Sequence, residues 1–400
     1  MKIVIAPDSF KGSLSAHEVA MAMAKGVIDA CPDAQVELCP MADGGEGTVD
    51  AMVAATGGRL LSADVFDPIG REIRAHFGML GHGNSATLPG EVGLAAVSTE
   101  TGGGVSGVGE VAVIEMAAAS GLELVPPDKL DPARATTYGT GQLIAAALDH
   151  GAREIIIGIG GSATIDCGFG CMQALGAKFI DESGAPCVQG MGGGALGSVV
   201  SIDMSGIDPR LQDVHIRVAC DVDNTLTGPK GAAFVYGPQK GANRECVSML
   251  DAGLENVAAV IQKELDVDIK GMRGSGAAGG LGAGLVAMAG AKLENGGKLI
   301  AGATGLADKM QGADLCLTGE GRFDVQSASG KVPFRVASIA GGCGVSSVCI
   351  AGMTASDAPA KMFREVRTLV SENVSKTKAM ACAEQLLADC VREIMMNFTG

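Results

Sequence analysis

Short apolar runs recur along the chain, and most lead into a turn of Gly, Asp and Ser followed by residues at helical spacing. The first run, 3–6, is stopped by Pro7, and Asp8, Ser9, Lys11 and Ser13 crowd the turn behind it. Ser15 with Glu18 three positions on forms a capping box for a helix over 16–30, with Val19, Met23 and Val27 on one face. A second run, 35–39, enters the acidic, Gly-rich turn 41–48 and then a helix to about residue 56, stopped by Gly57 and Gly58. Two β-loop-α units in succession are the rhythm of a doubly wound parallel sheet.

At Gly58 the rhythm breaks. The segments 60–65 and 72–79, joined by Asp67-Pro68-Ile69-Gly70, predict a hairpin. Residues 85–110 are Gly/Ser/Thr-rich and nearly uncharged, the composition of a surface segment. Strand-like runs resume at 111–116, at 154–159 (the most apolar in the chain) and at 215–220. The stretch 136–141 opens a helix to about His150, and a helix and strand lead to Ile180. An amphipathic helix fits 245–265. Strands at 313–318 and 346–351 are each placed before a turn, a helix spans 331–340, and a final helix fits 376–395. In such folds the carboxyl ends of the strands collect on one edge, where ligands bind.

A chain of 400 residues carries enough length for two or three domains. Its net charge of −15 is the wrong sign for a nucleic-acid or anionic-membrane surface, and 3% aromatic residues with no Trp leave few platforms for stacking bases. The 12 Cys form no CxxC pair, which reads as reduced thiols in a cytoplasmic protein. The N-terminus carries no signal-peptide apolar region, and the uncharged stretch 274–291 is mostly Gly and Ala, a Gly-rich loop and buried helix, not a membrane span.

GxGxxG occurs at 102–107 and 274–279, but with 61 Gly about 1.4 chance matches are expected, and neither follows a strong strand. Walker A and GxSxG are both missing. The acidic turns say more. Asp8, Asp43 with Glu46, Asp166, Asp221 with Asp223, and Glu320 with Asp324 all follow predicted strands. Carboxylates gathered on one edge repel one another and call for a cation; magnesium suits one or two of them plus phosphate oxygens. Lys11, Lys230, Arg322 and Lys331 are the cations of these loops. Lysine meets phosphate as a point charge and arginine can grip a carboxylate with two donors. These are the parts of phosphoryl transfer to a small acceptor.

In those loops the sequence resembles the bacterial type-1 glycerate kinase family. The matching segments run in family order: Ala-Pro-Asp-Ser-Phe-Lys-Gly-Ser at 6–13, Ala-Asp-Gly-Gly-Glu-Gly-Thr at 42–48, Gly-Ile-Gly-Gly-Ser-Ala-Thr at 158–164 and Ala-Cys-Asp-Val-Asp-Asn at 219–224. Gly-Pro-Gln-Lys-Gly at 237–241, Gly-Ala-Ala-Gly-Gly at 276–280 and Thr-Gly-Glu-Gly-Arg at 318–322, with Gly330-Lys331, complete them. The resemblance implies ATP-dependent phosphorylation of D-glycerate, to the 2-phosphate in the most similar enzymes and the 3-phosphate in related ones. It also implies an α/β fold: a Rossmann-like domain from the chain ends, 1–65 and 290–400, and an inserted α/β domain, 66–289, with the active-site cleft between them. Cys167, Thr225 and Phe323 depart from the family pattern, 86–110 reads as an insertion, and the chain beyond 353 matches poorly.

On this reading Asp8, Asp43 and Glu46 hold Mg2+. ATP is held by Ser9, Ser13, Gly44, Gly45, Gly47, Thr48, Gly160, Gly161, Ser162, Gly276, Gly279, Gly280 and Lys331. Asp166 and Asp324 are the candidate proton acceptors, and Lys11 and Arg322 complete the catalytic set. Arg322 grips the glycerate carboxylate, with Asp223 and Asn224 beside it. The partner is a small molecule, not nucleic acid or membrane, and a homodimer stays open. Two other classes compete: a nicotinamide-dependent hydroxy-acid dehydrogenase, whose fingerprint is missing, and a non-catalytic metabolite sensor.

Overall fold

The computed structural model describes residues 1–81, 111–324, 331–355 and 360–399; the expected insertion at 86–110 lies outside them. In chain order its strands are β1 (Lys2–Ile5), β2 (Gln35–Leu38), β3 (Arg59–Phe66), β4 (Glu72–Met79), β5 (Val111–Glu115), β6 (Glu154–Gly158) and β7 (Lys178–Asp181). Then come β8 (Val199–Asp203), β9 (His215–Ala219), β10 (Lys292–Glu294), β11 (Leu315–Phe323), β12 (Ser346–Thr354) and β13 (Glu365–Thr368).

Two sheets organise the molecule. The first has the order β13-β12-β11-β1-β2 and every pairing in it is parallel. The second has the order β10-β9-β6-β5-β4-β3; its core pairings are parallel, and the β3–β4 hairpin with β4–β5 is antiparallel. A separate β7–β8 pair completes the set among the described residues. Parallel strands buried on both faces read as continuous apolar runs, and Ile3, Val4 and Ile5, like Ile155, Ile156 and Ile157, are wholly buried.

The helix Ala16–Ala30 begins at the expected capping box, with Ser15 accepting from the Glu18 N–H and the Glu18 carboxylate accepting from the Ser15 N–H at 2.8 Å. It packs with the C-terminal helix Ala383–Thr399 on one face of the first sheet. On the other face, the helices Thr48–Thr56 and Gly296–Ala303 lie between the sheets. Val49, Met52, Leu299 and Ile300 share one core with Val4 of the first sheet and Val113 and Ile156 of the second.

Several expectations change. The border at 65/66 cuts through β3, whose eight residues pair with β4 from Arg59↔Met79 to Phe66↔Glu72. β10, expected on the first domain's side of 289/290, pairs with β9 in the second sheet. β11 does not end at Thr318: it runs on to Phe323, paired with β12 as far as Phe323↔Thr354. Phe323 is buried among Phe334 and Phe363, which extends the strand beyond its Gly-rich signal. β13 adds a parallel edge strand that its mixed, charged sequence did not predict. The last helix breaks at Cys382 into Lys376–Ala381 and Ala383–Thr399. Among the described residues no helix is long and apolar enough to cross a membrane.

Candidate active site

The carboxyl ends of the two sheets face each other, and close backbone contacts join them. β6 ends at Gly158, where a Cβ would sit 2.6 Å from the Gly44 carbonyl oxygen; at Gly160 it would sit 3.1 Å from the Gly45 Cα. Any side chain at Gly158 would push the acidic turn 41–48 away from the second sheet. That turn also touches the end of β9 at Ala219, and Gly296 packs against the Asp43 carbonyl and the Asp221 carboxylate.

The helix Thr48–Thr56 that follows the turn has Gly47 at its N-cap and no side chain of its own to close it. Its cap comes from the other sheet: the Val49 N–H donates to the Glu115 carboxylate at 2.8 Å. Burial pushes Glu115 up to about 6, with the Val49 N–H opposing that rise and the Asp50 and Glu46 charges adding to it. Glu115→Ala is expected to cost about 1–3 kcal/mol in urea unfolding, because a buried N–H loses its acceptor. Glu115→Gln keeps the acceptor and removes the titration. A carboxyl raised in the folded state is favourable below its unfolded value and loses that advantage as pH rises. The Glu115 contribution to stability should therefore fall by about 1 kcal/mol between pH 4.5 and 6, and the Gln variant should show a slope shallower by that amount.

Asp8, after β1, has the carboxylates of Asp43, after β2, and of Glu320, on β11, within electrostatic reach. The Asp8 N–H donates to the Gly319 carbonyl at 2.8 Å, which pins the turn after β1 against β11. Burial pushes the Asp8 carboxyl up to about 7, with Asp43 and Glu320 adding to the rise and the Ser9 N–H, 2.6 Å from Oδ1, opposing it. Glu320 is itself only 5% exposed. Lys331, at the N-cap of the helix Val332–Gly342, places Nζ 3.9 Å from Glu320 and 4.0 Å from Asp324. Arg322 Nε lies 3.1 Å from Asp324, with the arginine 69% exposed and the aspartate 16%. Acid and base thus alternate along the end of β11.

A second group continues the row. Asp221, after β9, accepts from the Gly296 N–H at 3.0 Å and from Asn295 Nδ2. Arg335, one turn into the helix Val332–Gly342, donates to Asn295 Oδ1 and faces both Asp221 and Asp43; burial pushes its guanidinium down while those carboxylates pull it up. Arg335 was missed from the sequence because no turn or motif surrounds it. Only its position at a helix start behind an acidic strand end signalled it.

Of the expected residues, the structure gathers Asp8, Ser9, Asp43, Gly44, Gly45, Gly160, Arg322, Asp324 and Lys331 along these facing edges. Exposed Lys11 sits at the tip of a tight turn closed by the Phe10–Leu14 bridge, with its backbone against Gly321. Glu46 is exposed and its charge acts on Glu115; among the described carboxylates it is Glu320 that stands third beside Asp8 and Asp43.

Other expected residues have their polar atoms committed elsewhere. Ser13 Oγ donates to the Met380 carbonyl and Thr48 Oγ1 to the Gly45 carbonyl, both at 2.7 Å. Asp223 is paired with Arg273, while Asn224 accepts from the Tyr236 hydroxyl and donates to the Lys230 carbonyl. Gly276, Gly279 and Gly280 pack on the Thr225 and Thr164 carbonyls and on Cys167, so the Cβ side of that loop is closely packed.

Asp166 stands apart. It is wholly buried and accepts four hydrogen bonds: from the Thr137 N–H and Oγ1 (2.7 Å each) and from the Gly168 and Gly170 N–H groups (3.2 and 3.3 Å). Burial raises its carboxyl and those donors oppose the rise. A carboxylate so enclosed ties Thr137, at the N-cap of the helix Tyr138–Asp149, to the Gly168 turn. No face of it is open to an incoming hydroxyl.

Carboxylates paired with cations near the strand ends of a doubly wound sheet are the parts that an α/β phosphotransferase uses. Comparison with known proteins makes the class particular. The family model for the glycerate kinase family matches residues 3–399, and this chain belongs to that family. It is 50% identical over 340 residues to glycerate 2-kinase of Escherichia coli K12, covering 85% of this chain and 82% of that one. It is 47% identical over 371 residues to a glycerate kinase of Bacillus subtilis 168, covering 93% and 90%. The crystal structure of a protein provisionally assigned as glycerate kinase 2 from Salmonella typhimurium LT2 superposes with a TM-score of 0.86 at 43% identity, over 100% of this chain and 98% of that one.

Proposed function

We propose that this protein transfers the γ-phosphoryl group of ATP to the 2-hydroxyl of D-glycerate, giving 2-phospho-D-glycerate and ADP. The observation that carries this reading is the gathering of Asp8 and Asp43, after β1 and β2, beside Glu320 of β11, with Asp8 pushed up to about 7 by burial and further by those two charges. Among the described residues no three His, Cys, Asp or Glu side chains are grouped so as to hold a metal ion by themselves. Mg2+ takes one or two carboxylates and completes its shell with phosphate oxygens and water. Asp8 and Asp43 would hold it. The ion supplies charge neutralisation on the phosphates.

The protein's own groups do the rest. Lys331, beside Glu320, and Arg335, beside Asp43, meet charge on the transferring group. Asp324, held by Arg322 and Lys331, takes the proton of the acceptor hydroxyl as its oxygen bonds to phosphorus and the bond from phosphorus to the leaving ADP oxygen breaks. Arg322 turns its exposed guanidinium to the glycerate carboxylate. Arg322→Ala should raise KM for glycerate about tenfold or more, with a smaller change in KM for ATP; steady-state kinetics with each substrate varied checks this. Phosphorus NMR of the product from ATP and D-glycerate tests the reading itself. A 2-phosphate resonance supports it, a 3-phosphate overturns the regiochemistry, and no phosphoglycerate overturns the activity.

A further inference from the structure

Lys240 is the most deeply buried cation in the described structure. It closes the short turn Pro238–Lys240 and is 1% exposed. Its Nζ donates to Ser162 Oγ and to the Thr164 carbonyl, both at 2.7 Å. Burying an ammonium costs several kcal/mol unless its hydrogen bonds are good, and an apolar side chain would fill the space without that cost. Burial pushes Lys240 down to about 7, and the Asp166 charge opposes the fall.

What the amine grips is the turn that follows β6. That turn is held on one side by the segment 120–122: the Ala163 N–H donates to the Ser120 carbonyl at 2.9 Å, and the Leu122 N–H to the Gly161 carbonyl at 2.8 Å. Lys240 holds it from the turn Pro238–Lys240. The front of the turn, at Gly160, lies against Gly45, two residues from Asp43. A shift of the β6 turn is therefore transmitted to the acidic turn. A displacement of about 1 Å at reacting groups can cost on the order of a hundredfold in rate.

Resting on the kinase reading above, we propose that Lys240 is a positioning residue for phosphoryl transfer: its buried amine clamps Ser162 and Thr164, sets the β6 turn, and through Gly160 and Gly45 seats Asp43. It touches neither ATP nor glycerate.

The test is kinetics and thermal melting of Lys240→Met, Ser162→Ala and the double variant, beside wild type. The expected result is a folded Lys240→Met protein whose kcat falls at least tenfold at saturating substrates. If the two groups act as one clamp, the double variant loses at least fivefold less than the product of the single losses. A folded Lys240→Met with kcat within twofold of wild type overturns the proposal, as do multiplicative losses within twofold. If Lys240→Met does not fold, Lys240→Gln takes its place with the same criteria; if neither folds, Lys240 is a residue of the core and the positioning role fails. Wild type without turnover on ATP and D-glycerate overturns the kinase reading instead, so the two failures are distinct.

Discussion

Asp8→Asn is expected to lower turnover by on the order of a hundredfold at saturating Mg2+, ATP and D-glycerate, while making the protein more stable, not less. Both effects have one source. The Asp8 carboxyl is buried beside Asp43 and Glu320, and that is why it is held at about 7 instead of 3.8. The amide keeps the oxygen that accepts from the Ser9 N–H, so local geometry survives. It removes the charge that a metal-bound triphosphate needs in the transition state. Without added divalent cation the variant should gain about 1–3 kcal/mol at pH 8. The sign follows from linkage: a carboxyl raised in the folded state holds its proton longer there, so the wild type loses stability as pH rises from about 4 through 7. The difference should therefore vanish near pH 4. Mg2+ with ATP should raise the wild-type melting temperature and leave the variant nearly unmoved. An active variant, or one that melts earlier at pH 8, would refute the assignment.

Asp166→Asn should do the opposite: destabilise the protein by about 2–5 kcal/mol while sparing the chemistry of whatever fraction remains folded. The four donors around Asp166 come from Thr137, Gly168 and Gly170. An asparagine there accepts with one atom only and turns an N–H2 toward other donors, inside a space with no water exposure. Urea unfolding gives the loss of stability, and kcat per folded molecule separates the two roles. A fall of a hundredfold or more in folded protein would restore Asp166 as the proton acceptor. The two aspartates follow similar strand–turn signals in the sequence, yet one is strained by its neighbours and the other satisfied by them.

That contrast marks where sequence reading stopped. The segment 313–324 carried two signals, an apolar strand and a Gly-Glu-Gly turn, and the turn signal prevailed. In the folded chain the β12 ladder and the burial of Phe323 extend the strand, which puts Glu320 and Arg322 on the strand itself and Asp324 directly after it. Glu46 and Glu320 looked equivalent as acidic turn residues; the packing of β1 against β11 selects Glu320 as the neighbour of Asp8. Glu115 gave no local sign that it caps a helix 66 residues away.

By itself the sequence determined the local events: the capping box at Ser15, the glycine stops, the buried parallel strands, and the placing of acidic turns at strand ends. Each depends on neighbours a few residues apart, where spacing and side-chain chemistry suffice. Only the tertiary structure decided which turns face one another, which carboxylates are buried beside other carboxylates and which are enclosed by donors. Electrostatic energy depends on distance and burial, and both are set by segments hundreds of residues apart along the chain.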